Sequence, residues 1–140
     1  MKKRTPLDPM AWIKQRMPLR EDQQRDLGIA YHSKLQAMLR GSGDEEAWNT
    51  LSFSLNIAMV LCEQGIAPTY LHTIQLAQKA MVSSRERAQT KGRWAFSGDE
   101  ARLLMQACTI HDKQLEFATK AKVTHAIQEV HRRVETGETV

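Results

Sequence analysis

Residues 48–62, WNTLSFSLNIAMVLC, decide how the rest of this 140-residue chain must fold. Trp48, Leu51, Leu55, Met59 and Cys62 recur every three or four positions, the spacing of one face of an α-helix. Phe53, Ile57 and Val60 occupy the other side. Only Asn49, Ser52, Asn56 and Glu63 remain as a narrow polar strip. A helix apolar on most faces sits inside a bundle, with other helices around it. The spacing predicts this helix over about Gly43 to Gln64, stopped at Gly65.

Working outward, the flanking segments supply the covering helices. A first helix is predicted from Glu21 to Arg40, ended by Gly41, with Leu27, Tyr31, Leu35 and Met38 on one face. A third runs from Pro68, a residue suited to a first helical turn, to Lys91 before Gly92. Its stripe is Tyr70, Ile74, Ala77, Met81, Ser84 and Ala88. A fourth and longest helix is predicted to reach Glu135, with Leu104, Ala107, Cys108, His111, Leu115 and Ala118 on one face. Beyond Lys122 its apolar residues, Val123, Ala126, Ile127, Val130 and Val134, lie roughly a quarter turn away from that face. Either the helix bends near Thr119–Lys122, or its last turns face a different partner.

The tetrapeptide Ser-Gly-Asp-Glu occurs twice, at 42–45 and 97–100. In each copy the serine can accept from the amide three residues on while the glutamate reaches back, a capping box at a helix start. The residues that follow, EAWNTLSFSL and ARLLMQACTI, do not match, which excludes an internal repeat. Pro6, Pro9 and Pro18 break any helix before residue 20. Residues 1–20 therefore form a basic, proline-containing N-terminal arm, pinned by Trp12, Ile13 and Met17. Residues 21–140 form a single helical domain. The expected fold is all-α, an irregular bundle of about four helices. Its core is Leu27, Tyr31, Leu35, Trp48, Leu51, Leu55, Met59, Ile74, Met81, Leu104, Cys108 and Leu115.

The net charge of +4 is unevenly placed. Residues 1–25 hold seven Lys/Arg against three Asp/Glu, residues 79–96 hold five against one, and residues 26–78 hold two against five. Basic patches of this size attract nucleic acid or an acidic protein surface. No apolar run approaches the roughly 20 residues that span a bilayer, and Asp8 and two prolines stand where a signal peptide needs an apolar stretch. The expected location is cytoplasmic, with no membrane partner.

Candidate chemistry is sparse. Cys62 and Cys108 are isolated thiols on helical apolar faces, the pattern of buried packing residues. His111 belongs to the fourth helix's apolar stripe and reads as a core histidine, His125 and Glu129 as a surface pair, and His32 and His72 as isolated. No ligand set converges for a metal, no glycine-rich loop cradles a cofactor, and no nucleophile elbow is present. The chain is expected to be non-catalytic, without metal or cofactor. Two surfaces remain. Val123, Ile127, Val130 and Val134 form a displaced stripe suited to a protein partner or a second copy of the chain. Arg85, Arg87, Lys91 and Arg93 cluster beside Trp94 and Phe96, a mixture used for phosphate contact and base stacking. The arm cations Lys2, Lys3, Arg4, Lys14 and Arg16 could extend that surface. In the joint itself Phe96 is expected to be buried on Ala101, with Trp94 partly exposed.

The segments KKRTP, DPMAWI, WNTLSFSLNIAMVL and HDKQLEFAT together resemble a loose group of small, helical, uncharacterised proteins of phages and prophages of Proteobacteria. In that group a basic, proline-containing N-terminus precedes several helices. A His-Asp followed by Gln-Leu begins the middle of the last one, as His111-Asp112 and Gln114-Leu115 do here. The resemblance implies a bacterial, mobile-element context and a helical fold, and brings no catalytic residues. The expected function is a non-catalytic interaction protein that binds a host or phage protein. The alternative is an accessory nucleic-acid binder that uses the arm and the 85–94 segment.

Overall fold

A computed structural model describes residues 16–137. Among the described residues five helices follow one another: α1 (Glu21–Leu39), α2 (Glu45–Glu63), α3 (Leu71–Lys91), α4 (Gly98–Phe117) and α5 (Lys120–Thr136). A single 3₁₀ turn, Pro68–Tyr70, leads into α3. The architecture is all-helical and irregular. Trp12, Ile13 and the cations Lys2, Lys3, Arg4 and Lys14 lie outside the described residues.

Helix α2 is the centre, as its composition requires. Ten of its residues are buried, among them Leu51, Ala58 and Leu61, and all four other helices pack on it. Trp48 donates its indole N–H to the Met81 carbonyl at 2.8 Å, joining α2 to α3. Polar contacts at the far end join it to α5, where Arg133 meets Glu63 at 2.7 Å. Of the expected core, Leu27 is the exception, 39% exposed. The buried residues of α1 begin only at Tyr31; in its first half Gln24 and Gly28 share a concavity with Leu115 and Glu116 of α4, and Leu27 is left exposed. Tyr70, 48% exposed, likewise precedes the buried part of its stripe.

The helix expected to reach Glu135, with either a bend near Thr119–Lys122 or a change of partner, is two helices that break at Ala118–Thr119. Ala118 is extended (φ −72°, ψ 141°), and the Thr119 side chain caps α5 by accepting from the Lys122 amide at 3.2 Å. The cause lies in the arm. The Leu19 amide donates to the Ala118 carbonyl at 3.4 Å, and the Lys120 amide donates to the Met17 carbonyl at 3.2 Å. Those are groups a continuous helix would use internally, to residues 122 and 116. Leu19 is buried while Met17 stands exposed, so Leu19 is the apolar anchor of this junction. The break also explains the displaced stripe. Val123, Ala126 and Val130 are buried, because α5 turns that face onto α2.

The two Ser-Gly-Asp-Glu copies begin helices differently. Ser97 and Glu100 form the expected capping box, at 3.3 and 2.8 Å. In the first copy Asp44 is the cap, accepting from the Ala47 amide at 2.7 Å, and Ser42 donates backwards to the Ala37 carbonyl. The helix starts late because Gly43 is held in an isolated antiparallel bridge with Trp94. A Cβ at Gly43 would stand 2.7 Å from the Trp94 carbonyl oxygen, whereas one at Gly98 would meet nothing within 4 Å. Gly43→Ala should therefore lower stability by about 1–3 kcal/mol, and Gly98→Ala should not. Urea unfolding of the two variants checks this, and equal effects would contradict the close packing of the 43–94 bridge.

Candidate functional site

Along α4, Met105, Thr109, Lys113 and Phe117 recur at intervals of four and so form one ridge. Opposite this ridge runs the turn Gly65–Ile66–Ala67, followed by Tyr70 and Thr73. Between them lies a mostly apolar groove of about 780 Å³. Phe117 is 75% exposed, Met105 52% and Tyr70 48%, so three large apolar side chains stand in water around one concavity. Exposed apolar patches of this kind mark binding surfaces far more often than scattered single residues do.

The wall of the groove is fixed from below. Gln114 is fully buried, and its amide nitrogen lies 3.0 Å from the Ala58 carbonyl and 3.2 Å from the Ile66 carbonyl. Its carbonyl oxygen faces His111 Nδ1 at 3.0 Å. The Cys62 thiol donates to the Ala67 carbonyl at 3.4 Å, where Ala67 takes a left-handed conformation, φ 55°. A non-glycine residue held there, with its carbonyl bonded, makes a turn with little freedom. Both thiols are unreactive: burial raises Cys62, and burial raises Cys108 to about 12. Sequence reasoning placed the cysteines and His111 in the core, which the structure bears out. It missed the groove, whose walls meet only in the fold.

A second concavity, of about 380 Å³, lies between α1 and α4. At its base Tyr31 donates its hydroxyl to Asp112, and His32 Nε2 sits 2.9 Å from both Asp112 oxygens. Burial, then the Asp112 carboxylate, raises the Tyr31 hydroxyl far above its usual range, so it stays protonated and donates to Asp112. His32 seemed isolated because its partner is 80 residues away. The network ties α1 to α4 and has a structural use without any further chemistry. Among the described residues no three His, Cys, Asp or Glu side chains converge to hold a metal.

The residues singled out from the sequence are placed as follows. Val123 and Val130 are buried, Ile127 is half-buried against the core, and Val134 is 63% exposed. The stripe thus faces inward except at its last member. Arg87 donates to Glu100 (3.2 Å) and to the Ala95 carbonyl (3.0 Å), stapling the joint between α3 and α4. Arg85 lies over the Trp48 ring, 4.9 Å from its centroid. Arg93 packs beside Gly41, and Lys91 is exposed. Trp94 and Phe96 are both half-buried against the core, with Trp94 6.3 Å from Trp48. The expected contrast between the two rings is therefore absent. Their recognition role would have to use one edge of each ring. Glu129 binds Arg132 and Arg133 rather than His125.

No family model matches this chain, and comparison with curated proteins and with solved structures finds no match.

His111 gives the core a pH dependence of known sign. Burial lowers its pKa below the ordinary 6.5, opposed by the smaller effects of Gln114 and Asp112. The folded chain thus binds its proton less readily than the unfolded one. The stability this neutral imidazole contributes is complete above about pH 6.5 and is lost as the pH falls below it. Urea unfolding should show stability decreasing from pH 7 to pH 5, with a smaller decrease in His111→Gln. Identical slopes would show that His111 is protonated without cost.

Proposed function

We propose that this chain is a non-catalytic interaction protein that holds an apolar segment of a host or phage protein in the groove between α4 and the Gly65–Tyr70 turn. The observation that supports this reading is the exposed trio Phe117, Met105 and Tyr70 around a concavity whose wall is fixed by buried Gln114. A rigid groove loses little freedom when it is filled, so burying these side chains favours association with little offsetting cost. The ridge from Met105 to Phe117 spans 12 residues, roughly 18 Å of helix, the length of about three turns of a docked partner helix. The resemblance to phage and prophage proteins supplies the bacterial setting of this reading. No helix among the described residues is long and apolar enough to cross a membrane, which suits a partner met in water.

Binding of nucleic acid through the 85–94 joint has less support, because Arg87 is engaged by Glu100 and the rings of Trp94 and Phe96 are half-buried against the core. Lys91 and Arg93 are the outward-facing cations of that joint.

The test is a photo-crosslinking amino acid in place of Met105, in a bacterial cell, with and without Phe117→Asp. Phe117 is largely exposed, so this change should alter stability by no more than about 0.5 kcal/mol. A cross-linked protein that vanishes in the Phe117→Asp background is expected. Cross-links to nucleic acid alone, no cross-linked protein, or a band undiminished by Phe117→Asp would overturn the reading.

A further inference from the structure

Helices α2 and α3 meet along a second groove, of about 680 Å³, that shares no lining residue with the Phe117 groove. Its floor is apolar, built from Leu55, Met59 and Met81, and its rim carries Lys79 and Arg85. Among the described residues no aspartate or glutamate lines it, and neither Lys79 nor Arg85 has a carboxylate partner, unlike Arg87, Arg102 and Arg133. The Arg85 guanidinium is held in place by the Trp48 ring beneath it, and Trp48 is itself fixed by its bond to Met81. The Gln78 amide donates to Asn56 at 3.0 Å and ties the two walls together. The result is a groove of apolar and uncharged polar side chains with two cations at its rim, of which Arg85 is held in place.

We infer that this groove docks an acidic amphipathic helix of a partner protein, with Lys79 and Arg85 pairing to carboxylates on its flank. The chemistry selects that occupant on two grounds. Lys79 and Arg85 both line the groove, and no carboxylate among the described residues does, so its rim is complementary to acidic side chains. Val82, which is exposed, and half-buried Leu76 offer apolar surface beside those cations, which an apolar helix face can cover and a phosphate backbone cannot. The Trp48 face that a base would stack on is taken by Arg85. This site is independent of the Phe117 groove, so the protein could hold two partners at once and join them.

The test uses fluorescence anisotropy with a labelled 20-residue helical peptide, leucines on one face and glutamates flanking them. The protein is the full chain, wild type, Lys79→Glu and Lys79→Glu/Arg85→Glu. Lys79 is exposed and unpaired, so its single variant keeps the test valid if the double variant unfolds. Binding should weaken by roughly tenfold in the variants and with added salt, and recover when the peptide's glutamates become lysines. Phe117→Asp should leave it unchanged, which separates this site from the proposed function. No binding of the glutamate peptide, binding indifferent to the charge exchange, or loss in Phe117→Asp would overturn the inference. So would a single-stranded oligonucleotide that binds in a Lys79-dependent way where the peptide does not.

Discussion

A helix with almost no side left for water imposes the organisation of this protein. Ten of the nineteen residues of α2 are buried, and its polar strip is narrow. Burial of apolar surface is worth about 25 cal/mol per Å², and α2 can realise that only if other helices surround it. Each of the others meets this demand with one face and leaves the remainder exposed. Their hydrophobic stripes are therefore partial, and Leu27 in α1 and Tyr70 before α3 are left exposed. The grooves follow from the same cause. Rods of different length laid around one axis cannot close every seam, and the seams beside α4 and α3 are two of the concavities they leave.

What separates those seams from ordinary surface is how their walls are held. Gln114 satisfies its hydrogen bonds to two backbone carbonyls and to His111 while fully enclosed, in an interior where an unpaired amide would cost about 1–3 kcal/mol. That network fixes the turn after α2 more firmly than apolar contact alone. Trp48 does the same for the other seam by bonding to the α3 backbone and carrying Arg85 on its outer face. In both places a buried polar contact orients groups that stand in solvent.

Much of this fold was legible in the chain. The stops at Gly41, Gly65 and Gly92 and the start at Ser97 depend on a few adjacent residues, so local chemistry predicts them. The core of α2, α3 and α4 follows from periodicity in the same way. What was illegible depends on distant residues. A bend near Thr119 could be read from the displaced stripe, but not that Met17 and Leu19 claim the backbone groups around it. Ser42 looks like a cap until Trp94 pins Gly43. Arg87 looks free until Glu100, placed by its own capping box, takes its guanidinium. The displaced Val123–Val134 stripe was visible as a change of direction, but its partner, α2, was not. The grooves could not be anticipated at all, since each has one wall per helix and no motif spans both.

The contact between Pro18–Leu19 and Ala118–Thr119 carries a consequence for how the chain acquires its shape. It closes a loop of about 100 residues, and the entropy of closing a loop grows with its length. Where short-range contacts form first, this pairing is among the last to form, and on the ribosome it must wait until α4 has emerged. The Thr119 cap starts α5 locally, and the bonds from Leu19 and to Met17 hold the break from the other end of the chain. The kink that lays Val123 and Val130 onto α2 thus ties the two ends of the described chain together.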